Sequence, residues 1–451
     1  MRNLLYRAFD KTYIILAPAV LLTYFVPIRM RVGPIMIVPF VVLWLMMMIL
    51  KDARCELAYT RRFLAFFVPL ALFFLLRSFL FGYQDYDQVP FLRHLQYSGL
   101  VCVYLYILHY SLSRGRFKEL RLLNGIVLFS LAYGCFASAD MEIGGYRNMG
   151  VLVGTSRETY EDTLQRLTYA SSGISNYGDV YAMAFINVGM MAVVRYCKLK
   201  WKFFYVAFSL LFFYGIYKAA YSTGLFVASV TVAIVWFMRI CKFSERSFRI
   251  GICLYSLAFV VAVAFPDLLS PFSGILKQLA IVFEPISSDY SLRLQSIAEA
   301  MSGYKDTYSV ERARLYWNSL DIFIRRPLYG YRLNQILFDI DKNMRMLGHS
   351  YLFDSFAAGG VVLGGLLMVG LYKFTQYLKY AYKNAGVSGN FMDSWYAATA
   401  AIFIVTSINQ ANSFNLLIGY LFVVPSIPFF GYRGPMTRSV FIPYPAGEMH
   451  G

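Results

Sequence analysis

With 59% hydrophobic and only 15% charged residues, and a mean hydropathy of +0.53, this chain of 451 residues is too apolar for a soluble globular or disordered protein. Its 42 Lys and Arg against 25 Asp and Glu give a net charge of +17. In a membrane protein that surplus collects in cytoplasmic connections, so it implies no nucleic-acid partner.

Apolar runs long enough to span a bilayer, roughly 20 residues each, recur along the chain. They occur at 13–28, 33–50, 63–81, 91–110, 122–139, 177–194, 203–219, 222–238, 250–266, 350–372, 393–411 and 414–431. The expected fold is all-α and polytopic, with about twelve transmembrane helices. No cleavable leader is expected, because Met1–Thr12 is polar and basic and no small-residue cleavage site follows.

Placing the N-terminus in the cytoplasm puts 24 of the 42 basic residues in inside connections. These include Arg61 and Arg62, then Arg114, Arg116, Lys118 and Arg121, then Lys198, Lys200 and Lys202. Both termini are thus expected inside. Residues 1–266 would hold the first nine spans, with an outside loop at about 140–176. Residues 350–451 would hold the last three spans and a cytoplasmic tail.

Between them, 267–349 forms an outside loop of 83 residues, too long to lack internal structure. Leu292, Leu294, Ile297, Ala298 and Met301 mark one helix over Ser291–Gly303. A second helix begins near Ser309, with Glu311 in its first turn and a stripe of Leu315, Ser319, Ile322 and Phe323. Pro327 stops it and Gly330 permits the turn after it. None of the six cysteines falls in this loop, which argues against a disulfide framework or a cysteine metal site.

Candidate chemistry gathers on the outside face. Arg166, Arg293, Arg312 and Arg314 lie where short loops disfavour basic residues. An arginine fork binds two oxygens at once and suits a diphosphate. Pairing with the loop's own acids is the plainer role for any one of them. His349 precedes the helix that starts SYLFDSFAAGG, where the positive helix end favours a neutral ring able to accept a hydroxyl proton; capping is the alternative. Asp354, one turn on, would be costly in lipid and should meet a polar cavity or an arginine. Arg77 and Lys218, near outer span ends, read as side chains snorkelling to headgroups. The acid pairs in DYD at 85–87 and DID at 339–341 are common by chance and carry no reading.

From Arg312 to Leu367 the chain resembles the O-antigen polymerase and O-antigen ligase superfamily. The shared pattern is an Arg, an aromatic residue, a short helix, Pro-Leu-x-Gly, then His and a Gly-rich apolar helix. Here it reads RARLYWNSLDIFIRRPLYG and GHSYLFDSFAAGGVVLGGLL. Upstream, SSGISNYGDVYAMAF, YSTGLFVASV and SLRLQSI are similar to further segments of the family, although Thr223 stands where many relatives have Arg. Lys218 is the candidate to replace that charge.

The resemblance implies a bacterial inner-membrane enzyme with its active site on the periplasmic side. Its donor would be an undecaprenyl-diphosphate-linked oligosaccharide, transferred with inversion and without metal or other cofactor. Arg293, Arg312 and His349 match catalytic positions of the family. Arg166, Arg314, Tyr316, Asp354 and Lys218 are the expected substrate contacts. Polymerisation of repeat units is the first expectation, with membrane lipid and a chain-length regulator as further partners. The alternatives are a ligase acting on lipid A–core and, in another class, a lipid-linked-glycan flippase.

Overall fold

The computed structural model describes residues 57–82, 91–137, 177–194, 197–218, 270–285, 288–301, 308–332, 350–387 and 417–431, with isolated positions between 225 and 257. Every element among them is helical, and no β-strand occurs among the described residues. In chain order the main elements are α1 (Leu57–Gly82), α2 (Phe91–Ser113), α3 (Phe117–Ala137), α4 (Tyr177–Val193) and α5 (Leu199–Lys218). Then come α6 (Ser273–Phe283), α7 (Ser288–Met301), α8 (Tyr308–Arg325) and α9 (Tyr351–Asn384). A π-helical turn at Gly419–Val423 leads into short turns ending at Gly431.

Among the described residues, four helices are long and apolar enough to cross a membrane: Ala58–Leu80, Phe117–Phe136, Leu199–Lys218 and Tyr351–Asn384. In lipid a helix is favoured because it satisfies its backbone internally. Apolar stretches in α2 (Ser98–Ser113) and α4 (Asp179–Val193) are shorter. The runs at 13–28, 33–50 and 393–411 lie outside the described residues, as does the loop at 140–176. The described parts of 267–349 are mainly helical, and two of the helices, α7 and α8, start within three residues of the positions read from sequence.

Aromatic side chains interlock the spans. Along α1 and the long C-terminal part of α9, contacts run in opposite chain directions. Tyr59 meets Tyr380 at 4.9 Å between ring centroids, Phe66 meets Phe374 at 5.1 Å, and Leu70 fills the notch at Gly370. The two helices are therefore antiparallel. A Cβ on Gly370 would lie 2.6 Å from the Leu70 side chain, so the small residue sets the approach. His109 of α2 enters the same core, stacked on Phe63 at 4.1 Å and bonded through Nδ1 to the Tyr377 hydroxyl at 2.8 Å.

A second group joins α3, α4, α5 and the C-terminal turns. Gly215 of α5 admits the Cys135 sulfur of α3, and Asn187 of α4 bonds Ser209 of α5 in both directions. Helix ends leave carbonyls without intrahelical donors. Here the Tyr205 hydroxyl donates to the Ile427 carbonyl at 2.9 Å and the Tyr382 hydroxyl to the Pro425 carbonyl at 2.6 Å. Those two bonds tie the irregular C-terminal turns to α5 and α9.

Candidate functional site

The long helix α9 is not one rod. At Gly360 the backbone takes φ 60° and ψ −153°, outside any helical value. A Cβ on Gly364 would lie 2.3 Å from the Phe356 ring, although eight residues of straight helix span about 12 Å. Tyr351 and Leu352 also share a small apolar cavity with Leu367 and Leu371. The chain thus runs as a short helix up to Gly359, turns at Gly360 and folds back along itself. The apolar run at 350–372, expected as one span, is a helical hairpin. The part that can cross a membrane is Val361–Asn384, about 24 residues or ~36 Å.

Such a turn exposes the first amides of the returning helix. The Pro327 and Leu328 carbonyls accept them, from Val361 N–H at 2.7 Å and Val362 N–H at 3.4 Å. Gly330, at φ 63°, makes the approach possible, since a Cβ there would sit 2.5 Å from the Gly360 nitrogen. The Pro-Leu-Tyr-Gly turn after α8 is in effect the cap of the α9 hairpin.

With its end pinned there, α8 lies along the short arm of α9. Tyr316 meets Phe353, Ser319 meets Asp354, and Phe323 meets Phe356, so the two run in the same direction. Ser319 is buried and its hydroxyl donates to Asp354 Oδ1 at 2.8 Å. Ser350 caps the arm, accepting from Phe353 N–H at 3.2 Å, while its own N–H donates to Asp354 Oδ2 at 3.0 Å. Asp354 is only 2% exposed.

From the other side comes Arg77 of α1. Its Nη1 donates to Ser355 Oγ at 3.0 Å and its guanidinium lies over the Tyr351 ring at 4.2 Å. The opposite charges of Arg77 and Asp354 are close enough to attract. One α1 turn away, Arg332 donates to the Leu80 carbonyl at 2.8 Å and is itself buried. The described cations here outnumber the single carboxylate. A buried cluster with excess positive charge favours an anion such as a phosphate.

Two of the expected site residues lie along the α8–α9 contact, Asp354 against Ser319 and Tyr316 against Phe353. Arg312 and Arg314 belong to α8 and Arg293 to α7 by backbone position. Arg312 stands four residues before Tyr316, at the helical register that continues the face carrying Tyr316, Ser319 and Phe323. His349 directly precedes Ser350 in the chain; it and Arg166 lie outside the described residues. Lys218 closes α5, which packs chiefly on α3 and α4, away from α8.

Arg77 corrects the sequence reading. It does not snorkel to headgroups but is 9% exposed and turned inward to Ser355. Its position in LLRSFLFG carried a sign: the Arg stands five residues before the helix end, deeper than a snorkelling side chain needs. Ser355 and Arg332 carry no signal in the sequence, because Ser in an apolar helix and Arg in a long loop are common. Among the described residues no group of His, Cys, Asp and Glu is arranged to hold a metal ion. Compared with known protein families and with curated protein sequences, the chain finds no match.

Proposed function

We propose that this chain is an inner-membrane glycosyltransferase that polymerises oligosaccharide repeat units carried on undecaprenyl diphosphate, working on the periplasmic side. The observation that carries the proposal is the docking of α8 onto the α9 hairpin. That docking gives the Arg312-to-Gly330 segment a fixed place beside the helix that begins immediately after His349. It supplies a physical role for the Pro-Leu-x-Gly and Gly-Gly pieces of the pattern on which the resemblance rests.

In this proposal both termini are cytoplasmic, about twelve helices span the membrane, and 267–349 faces the periplasm. Arg293 and Arg312 hold the lipid diphosphate. The acceptor hydroxyl oxygen attacks the anomeric carbon from the face opposite the diphosphate. The anomeric C–O bond breaks, the configuration inverts, and charge gathers on the leaving diphosphate. Fixed guanidiniums that meet charge as it develops are the strongest means of lowering such a barrier. His349 takes the hydroxyl proton. Tyr316, half-buried against Phe353, offers a ring edge to a sugar.

The test is incubation of purified protein with a synthetic lipid-diphosphate repeat unit. A ladder of products differing by one repeat is the expected result. Transfer onto lipid A–core with no lengthening would make the chain a ligase. Movement of unaltered donor across a vesicle membrane, with no new glycosidic bond, would make it a flippase.

A further inference from the structure

Apart from the α8–α9 cluster, with which it shares no lining residue, a groove of about 930 Å³ runs between α3 and α5. Its floor is apolar: Gly125, Ile126 and Phe129 from α3, with Trp201 and Phe204 from α5 on the opposite wall. Only one end is charged, and there both charges are positive. Lys118 and Arg121 line that end, and among the described residues no carboxylate lines the groove. Glu119, between them in sequence, faces Arg116 instead at 3.9 Å. Arg121 holds itself in place by donating Nε to the Phe117 carbonyl at 3.2 Å, and Lys118 is exposed.

Two further details give the groove a shape. A Cβ at Gly125 would meet nothing within 4 Å, so the glycine leaves a notch one turn from Arg121. Leu122 and Phe129 are 63% and 65% exposed on a helix long and apolar enough to cross a membrane, as a lipid-facing surface requires. An apolar trough bounded by aromatic rings, opening at one end on two cations at headgroup level, complements an acyl chain attached to a phosphate. Two basic side chains at the edge of a membrane helix attract anionic headgroups and leave zwitterionic ones nearly indifferent.

We infer that this groove is a binding site for one anionic glycerophospholipid. Its phosphate lies between Lys118 and Arg121, and an acyl chain lies along Gly125 and Phe129 toward Tyr133. The site is separate from the proposed catalytic cluster, and its occupancy does not depend on what that cluster does.

The test uses full-length protein purified in detergent and native mass spectrometry of retained lipid. Phosphatidylglycerol and phosphatidylcholine with the same acyl chains are supplied in equal amounts. The expected result is a preference of roughly tenfold for phosphatidylglycerol. Lys118→Ala with Arg121→Ala removes the preference. Gly125→Leu keeps both cations but fills the notch, and reduces retention of either lipid several-fold. Its added Cβ enters open space, and the thermal midpoint checks that the fold persists. Equal retention of the two lipids by the unaltered protein overturns the inference. So does a preference that survives both sets of substitutions, selective displacement of phosphatidylglycerol by equimolar polyprenyl phosphate, or a dimer that covers the groove and that Gly125→Leu dissociates.

Discussion

Asp354 accepts hydrogen bonds from Ser319 and from the Ser350 amide and faces the charge of Arg77. Removing it therefore leaves two donors without their acceptor and takes a compensating negative charge from Arg77, which keeps Ser355 and the Tyr351 ring. Leaving a buried donor without its acceptor costs about 1–3 kcal/mol, and the loss of a compensating charge near a buried cation adds to it. Asp354→Ala is expected to lose about that much in thermal or denaturant unfolding of the purified protein. Removing the second charge as well lifts much of the penalty. The Arg77→Met, Asp354→Ala double variant is accordingly expected to be more stable than Asp354→Ala alone. A double variant as unstable as the sum of the two single ones would show that the charges do not interact. Arg77→Lys is a poor substitute, since an ammonium cannot both reach Ser355 and lie flat over the Tyr351 ring.

At the scale of elements, the hairpin in α9 and the turn after α8 depend on each other. Gly360 needs a left-handed φ, and a Cβ there would lie 2.3 Å from the Leu328 carbonyl oxygen, so backbone would have to move. Gly360→Ala is expected to undock α8 and open the hairpin, seen as loss of a monodisperse peak on size exclusion. Gly365→Ala is the matched control. Its Cβ would make an ordinary contact with the Val361 side chain at 3.8 Å, so expression and thermal midpoint should stay within the small range of a surface change. Much of this was legible in sequence: α8 from its stripe and its Pro327 stop, and the Gly330 turn from its glycine. The hairpin was not. An unbroken apolar run looks the same whether it crosses lipid once or folds back on itself, and the Gly-Gly pair alone does not say which amides will find a cap. Arg77 escaped for a related reason. Hydropathy places an arginine near a helix end, but only the neighbouring Ser355 and Tyr351 decide whether it turns outward or in.

The whole molecule raises the question of which side each end of the fold faces. α6 lies at the start of 267–349, yet Phe272, Ile275, Ile281 and Val282 on or beside it are exposed apolar side chains. A helix of that kind rests in the headgroup boundary rather than in open water. The loop would then lie on the membrane, which would hold α8 and its arginines at the depth of a lipid diphosphate. Orientation can be read directly from cysteine labelling. In a chain whose native cysteines are replaced, Arg325→Cys on α8 and Lys198→Cys before α5 give two exposed probes at positions that the charge pattern places on opposite sides. Arg325 contributes only a surface pair with Asp321, so its loss is mild. A membrane-impermeant thiol reagent applied to intact cells stripped of the outer membrane should label the Arg325→Cys chain at once. It should label the Lys198→Cys chain only after permeabilisation. With that orientation fixed, His349→Ala and Arg312→Ala should each leave the amount of membrane-inserted protein unchanged and abolish long-chain glycan. Labelling of both probes from the cytoplasmic side alone would put the α8 arginines where no flipped donor reaches them, and the glycosyl-transfer proposal would fall with the topology.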